Sequence, residues 1–531
     1  MPLVPLAPYK TPRKAAQARN NQFGALLAPT SGLNLRDPFL LLKPEDALVL
    51  NNFIARPQGC ETRAGYRKHV TDLGGSVNTL MGYLAQDPND NKLIAAVDDN
   101  FFDVTTATAT PTAMQTGTGS TDGYWSSIMF SGATLNYLCC TSPSGGYWTY
   151  DSASGWTDRA ASVTGFTGNY GSIAAWKNRL FMIANETAKC YYLDVNAIQG
   201  PAHELDLGPL MKHGGHLVAV VNWTMNAGID IDDYLVFFGS QGDVIVYAGT
   251  DPDDPATFAL KGIWYMARPP VGDRFFHEYG GELFVLSELG LIPLTKMVNG
   301  EVANTYNIIS ARIQPALSPQ LSEFLDTEGW EVGLSDNNDL LIIKTPPVED
   351  VYQQWIMNIQ TGAWSTFTGI PMNTWITYQG QMYIGTTDGL VCKGLEGDVD
   401  GAEINGTGGD EILATLEGGF NDFGTPANLK IFNLVRPIFI CQKAPSVAVQ
   451  INIDYSPNPI YAQPSFVTGN VPIWDASYWD KAFWISAAES FAAWAGVQGM
   501  GYYGSLRMAV RSFAGTKYVS STIIYQTGGA M

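Results

Sequence analysis

Residues 338–394 read NDLLIIKTPPVEDVYQQWIMNIQTGAWSTFTGIPMNTWITYQGQMYIGTTDGLVCKG. Runs of β-forming residues at 340–344, 354–359, 364–367 and 382–385 are broken by turn chemistry: Gln360-Thr361-Gly362 after the second, and Thr387-Asp388-Gly389 before a further run at 390–393. Short β-rich runs punctuated by Gly- and Asp-containing turns predict hairpins. The stretch predicts one unit of about four short strands.

Weaker copies of the hairpin recur upstream. Their first runs begin near residues 93, 135, 180, 234, 283, 340 and 382, a spacing of 42–57 residues. Two pairs of matching detail support a repeat. Tyr150-Asp151-Ser152-Ala153-Ser154-Gly155-Trp156 resembles Asn358-Ile359-Gln360-Thr361-Gly362-Ala363-Trp364, and Trp176-Lys177-Asn178-Arg179-Leu180-Phe181 resembles Tyr378-Gln379-Gly380-Gln381-Met382-Tyr383. A four-stranded repeat of this period predicts a β-propeller, because small sheets bury both faces by packing radially. The expectation is all-β: a propeller of six to eight blades over 76–395. A series of β-sandwiches is the competing architecture.

Composition agrees. Hydrophobic residues make up 46% of the 531-residue chain and aromatic residues 12%, with 55 glycines, which suits a large turn-rich β core. The net charge of −20 argues against gripping nucleic acid by its phosphates. It leaves room for a protein that nucleic acid passes without sticking. Six cysteines with no Cys-x-x-Cys do not make a disulfide framework and point to folding in a reducing cytoplasm. No signal-peptide pattern opens the sequence and no apolar run is long enough to span a membrane, so no membrane insertion is expected.

Outside the repeats the chain divides further. Residues 1–36 hold Lys10, Arg13, Lys14, Arg19 and Arg36 and no acid, with Pro2, Pro5, Pro8 and Pro12 keeping the start extended. This predicts an extended basic arm that orders on a partner or a neighbouring acidic copy. Residues 37–75 read as strands around Pro57-Gln58-Gly59, preceded by one helical turn at 44–50, where Pro44-Glu45-Asp46 has an N-terminal helix signature. From 396 a Gly- and acid-rich linker leads into a β-sandwich-like domain over 396–531. There Val447, Val449, Ile451 and Ile453 alternate with polar or small residues, as in a half-buried strand. Trp474, Trp479, Trp484 and Trp494, set among acids, form a candidate aromatic contact surface or pack a long loop.

Chemistry is hard to find. His203, His213 and His216 have metal-ligand spacing without a helix or strand register to fix it. Asp398, Asp400 and Glu403 lack the later ligands of a calcium loop. A propeller glycosidase would carry carboxylates on its inner strands, whereas the visible acids Asp98, Asp99, Asp243 and Asp388 sit in turns. No catalytic residue, cofactor site or metal site is assigned, and an enzyme is not expected.

The two ends resemble a family. Gly32-Leu33-Asn34-Leu35-Arg36-Asp37-Pro38, Leu42-Lys43-Pro44-Glu45-Asp46-Ala47, Leu50-Asn51-Asn52-Phe53 and Glu61-Thr62-Arg63-Ala64-Gly65-Tyr66 are similar to the opening of tail nozzle proteins of short-tailed bacteriophages, also called tail tubular or packaged-DNA stabilisation proteins. Phe420-Asn421-Asp422-Phe423-Gly424-Thr425-Pro426, Val435-Arg436-Pro437-Ile438-Phe439, Asp454-Tyr455, Trp474-Asp475, Trp479-Asp480 and Tyr525-Gln526-Thr527-Gly528-Gly529 resemble their C-terminal part. The resemblance implies a structural protein of the virion tail, assembled in host cytoplasm. Its homohexameric ring would lie below the portal and its adaptor, continue the DNA channel, retain and then release the genome, and offer surfaces to tail fibres or a needle. Double-stranded DNA would pass the lumen without specific binding. Lys10, Arg13, Lys14, Arg19, Trp474, Trp479 and Trp484 are then the partner-contact candidates. The alternative is a propeller tail protein that binds or cleaves host glycans.

Overall fold

The computed structural model describes residues 21–530, apart from 133–134, 227–230, 255, 301–307, 336–337, 350, 458–461 and 467–488. Among the described residues seven sheets of mainly antiparallel strands stand round one axis, and one inner strand of each contributes to the wall of a single axial cavity. These inner strands are Val77–Tyr83, Ser126–Ser131, Tyr170–Trp176, Leu217–Asn226, Phe276–Tyr279, Glu331–Ser335 and Thr374–Tyr378. Six of the sheets are separate blades; the other, sixth in chain order, runs on into a terminal sheet. The chain is therefore an all-β propeller with added N- and C-terminal sheets.

The second strands begin at Lys92, Asn136, Arg179, Ile231, Glu282, Leu340 and Gln381, each within three residues of a repeat start expected from the sequence. Second strands lie between two neighbours and between two blades, so they read as unbroken apolar runs. Arg179–Ala184 and Leu340–Lys344 are buried at every position. Inner strands face the cavity on one side and carry a weaker apolar signal; Phe276–Tyr279 has no buried residue.

The stretch 338–394 is accordingly not one unit. It holds the second to fourth strands of the sixth blade and the first three of the seventh, and the blades change over between Thr368 and Thr374. The matched motifs do fall at equivalent places. Trp176 and Tyr378 each end a first strand, followed by left-handed pairs, Lys177 and Asn178 in one and Gln379 and Gly380 in the other. Asp151 and Asn358 each end a third strand and accept a backbone N–H two residues on, from Ala153 (2.9 Å) and Gln360 (3.0 Å).

The fifth blade has three strands. The helix Gln314–Phe324 packs against its last strand and buries Leu317 and Leu321. The seventh blade takes its outer strand from far upstream: Tyr66–Val70 pairs antiparallel with Val391–Gly394 and closes the ring.

The terminal body consists of two sheets sharing one core, in which Val435, Phe439 and Ile523 of one sheet join Val449, Met508 and Val510 of the other. The first sheet is built on Asn428–Cys441 and Lys517–Ala530, paired along their lengths. The second continues the sixth blade through Gly32–Leu33, Asp46–Asn51, Ile412–Gly418, Gly504–Ser512 and Ser446–Ile453. Gly32, with φ of 74°, lets this seam close, since a Cβ there would lie 2.6 Å from the Trp364 carbonyl oxygen.

Three sequence expectations change here. Residues 44–50 form no helical turn: the Asp46 carboxylate accepts the Lys43 N–H (3.1 Å) and Ala47 to Asn51 pair with Thr415 to Gly418. Ser446–Ile453 is not half-buried, because Gln450 and Asn452 are buried too and Asn452 donates to the Glu417 carboxylate (2.8 Å). Asn21–Leu27, expected in an extended arm, is an edge strand paired with residues 520–526.

Candidate functional site

The feature that distinguishes the propeller is what fills its axis. Arg274 stands just ahead of the inner strand of the fifth blade and reaches three other blades. One terminal nitrogen donates to the Asn78 carbonyl (2.9 Å) and Thr374 Oγ1 (3.1 Å), the other to Thr79 Oγ1 (2.8 Å) and the Trp125 carbonyl (3.1 Å). Its guanidinium also lies over the Tyr124 ring, 4.3 Å from the centroid. Tyr124 Oη donates to Asp273 Oδ1 (2.7 Å) and accepts the Asp273 N–H (3.2 Å). The planar fork of donors suits this role, as one side chain satisfies carbonyls and hydroxyls on several converging strands. The cluster forms a stopper at the end of the axis where inner strands begin.

Beneath it lie Glu331, first residue of the sixth inner strand, and Lys344, last residue of the adjacent strand. The Thr374 side chain and the Trp375 N–H favour the charged form of the Glu331 carboxylate, whose Oε2 is buried with no hydrogen-bond partner among the described residues. Burial pushes its carboxyl up, against the pull of Arg274 and Lys344. Lys344 is 1% exposed and spends one donor on the Gly329 carbonyl (2.7 Å). Burial holds its ammonium down to about 8, with Glu331 opposing and Arg274 assisting the shift.

Three cavities meet at this cluster. The axial one measures about 460 Å³. A second, of about 250 Å³, opens on the face carrying the stopper and is lined by Arg274, Glu331 and Lys344. A third, of about 520 Å³, spreads over the same face beyond Tyr124 and Asp273.

Sequence reasoning placed the acids in turns and missed this site. Glu331 and Glu278 both stand on inner strands and line the axial cavity. Asp243 heads a strand, is 1% exposed, and binds His213 Nδ1 (2.7 Å) and the His213 N–H (2.8 Å). The available signal was an acid opening a short apolar run, Glu331-Val332-Gly333-Leu334, but the run is too short to stand out among stronger ones.

The residues singled out in the sequence do not converge. His203 pairs with Asp194 (3.1 Å) on the third blade, His213 with Asp243 on the fourth, and the His216 N–H meets Ser240 Oγ. Asp400 is held by Arg63 and Glu403 by Lys68 (2.8 Å), which occupies two of the three carboxylates of the calcium-like segment. Among the described residues no group of three or more His, Cys, Asp or Glu is placed to hold a metal. Lys10, Arg13, Lys14, Arg19, Trp474, Trp479 and Trp484 lie outside the described residues. Trp494 is 42% exposed, with the Arg436 guanidinium 5.9 Å from its ring centroid. All six cysteines are buried and none is in a disulfide among the described residues.

Fold and site together define a β-propeller with a charged stopper in its axis, fused through one blade to a two-sheet terminal body. No family model matches the chain, and no curated protein matches it. Among the described residues no helix is long and apolar enough to cross a membrane.

Proposed function

We propose that the chain is a structural subunit of a short-tailed phage tail, one of six copies in a nozzle ring. The ring continues the DNA channel below the portal and its adaptor, retains packaged DNA and lets it leave. The observation that carries this reading is where the resembling segments fold. The strands between residues 32 and 62 and the described strands from 428 to 530 are separated by the whole propeller in sequence, yet they share the terminal sheets. A resemblance split between two chain ends thus belongs to one body.

That body presents an apolar surface. Phe39, Leu40 and Leu41 are 54%, 71% and 71% exposed, and Phe23 and Leu27 of the edge strand are 69% and 57% exposed. Scattered exposed apolar residues are ordinary, but three in a row, with two more on a strand at the margin of a described sheet, suit contact with another chain. In this reading the other chain is a second copy. DNA would then run between copies, because Arg274 spans the axis within each propeller. A charge of −20 per copy repels phosphate and favours sliding over binding. The basic N-terminal residues serve the adaptor, and outer surfaces serve fibres or a needle.

Mass photometry of the purified protein, alone and with detergent-free particle extract, tests the ring. A species at six times 57.6 kDa is expected, and Leu40→Asp with Leu41→Asp is expected to reduce it to monomer. A wild-type protein that stays monomeric in both settings, or a ring indifferent to the double substitution, contradicts the reading.

A further inference from the structure

Independently of the tail reading, we propose that the 250 Å³ cavity beside the stopper is a binding site for a neutral saccharide unit. Glu331 lines the cavity, and its Oε2 is buried with no hydrogen-bond partner among the described residues. Lys344 Nζ, on the same wall, has three donors and bonds one carbonyl, that of Gly329. A buried acceptor without a donor is costly unless a ligand supplies one. The neighbouring Arg274 has its terminal nitrogens engaged by four protein oxygens, so it shapes the site and leaves the hydrogen bonding to Glu331 and Lys344.

The ligand must donate to a carboxylate and accept from an ammonium at neighbouring points. A vicinal diol does both, since each hydroxyl donates one hydrogen and accepts through its lone pairs. Charge selects against the alternatives. Glu331, Glu328 and Asp122 line the cavity and disfavour an anion, while Lys344 and Arg274 disfavour a cation. Size selects further: 250 Å³ falls below the roughly 300–1,000 Å³ of sites for drug-sized ligands, which leaves room for one sugar ring. The adjoining 520 Å³ cavity, which shares Asp122, Tyr124, Glu328 and Gly329 with the first, gives a longer glycan somewhere to continue.

The test uses the full chain with D-glucose, D-galactose, N-acetylglucosamine and D-glucuronate, read by saturation-transfer NMR and by calorimetry. Millimolar binding of at least one neutral sugar is expected, with D-glucuronate weaker. Glu331→Gln removes the charged acceptor at constant shape and is expected to weaken binding about tenfold or more. Glu328→Arg places a long side chain at the mouth on an exposed position that does not endanger folding, and is expected to weaken binding severalfold. Folded wild-type protein that binds none of the four sugars overturns the proposal. So does binding that neither substitution changes, because the ligand then sits elsewhere.

Discussion

Arg63 shows how much of this fold depends on single buried charges. It is fully buried, pairs with both Asp400 oxygens at 2.7 Å, and donates to Asn52 Oδ1 (2.9 Å), the Ala64 carbonyl (3.0 Å) and the Thr368 carbonyl (3.0 Å). One side chain thereby ties the N-terminal strands, the sixth blade and the segment after the seventh. Lys344 is the opposite case, a buried ammonium with little to hold it, and it makes stability depend on pH. Its value is about 8 in the folded protein against 10.5 when unfolded, so between those values the unfolded chain binds more protons. The Lys344 contribution to stability therefore rises with pH through that window as the cost of burying the charge is relieved, by roughly 3 kcal/mol. The buried thiols, held protonated by burial, lower stability over the same range, so urea denaturation from pH 7.5 to 10.5 is expected to show a shallower fall in the wild type than in Lys344→Met; parallel curves would refute it.

At the scale of elements, ring closure is the most demanding junction. Tyr66–Val70 lies between Val391–Gly394 and the short strand Asp400–Ala402, and Gly65 enters it against the Val399 backbone. A Cβ at Gly65 would sit 1.8 Å from the Val399 carbonyl oxygen. Gly65→Ala is expected to destabilise by roughly 1–3 kcal/mol, as overpacking does, and to speed amide exchange first in residues 66–70 and 391–394. Uniform acceleration across all blades would contradict this local picture. The same junction shows where sequence reading stops. The second and third strands were legible because burial on both faces writes an unbroken apolar run into residues such as Leu340 to Ile343. Inner strands such as Phe276–Tyr279 face the cavity and carry no comparable run, so the unit boundary was misplaced and Glu331 went unnoticed. Residues 62–68 read as a strand, but nothing in them hints at the partner of Tyr66–Val70 more than 300 residues away. Pro44-Glu45-Asp46 imitated a helix start because the acid that would stabilise a helix N-terminus here binds the Lys43 N–H and Asn34 Nδ2 instead.

For the whole molecule, the propeller and the terminal body share a nine-stranded sheet and one hydrophobic core, so neither is a detachable module. The buried thiols follow the same logic: adjacent Cys139 and Cys140 point from one strand into two different inter-blade cores, where burial pushes the Cys139 thiol up to about 12 and the Cys140 thiol up as well. Such thiols stay out of disulfide exchange. An acidic, stoppered propeller joined to a body with an exposed apolar run is a shape suited to being one part of a larger ring. The most direct test of that claim is quantitative mass spectrometry of purified, DNA-filled particles from cells that make this protein, with its copy number measured against the portal. The account predicts one copy for every two portal subunits. Absence from the particles, or a number that follows the fibres instead of the portal, would contradict it.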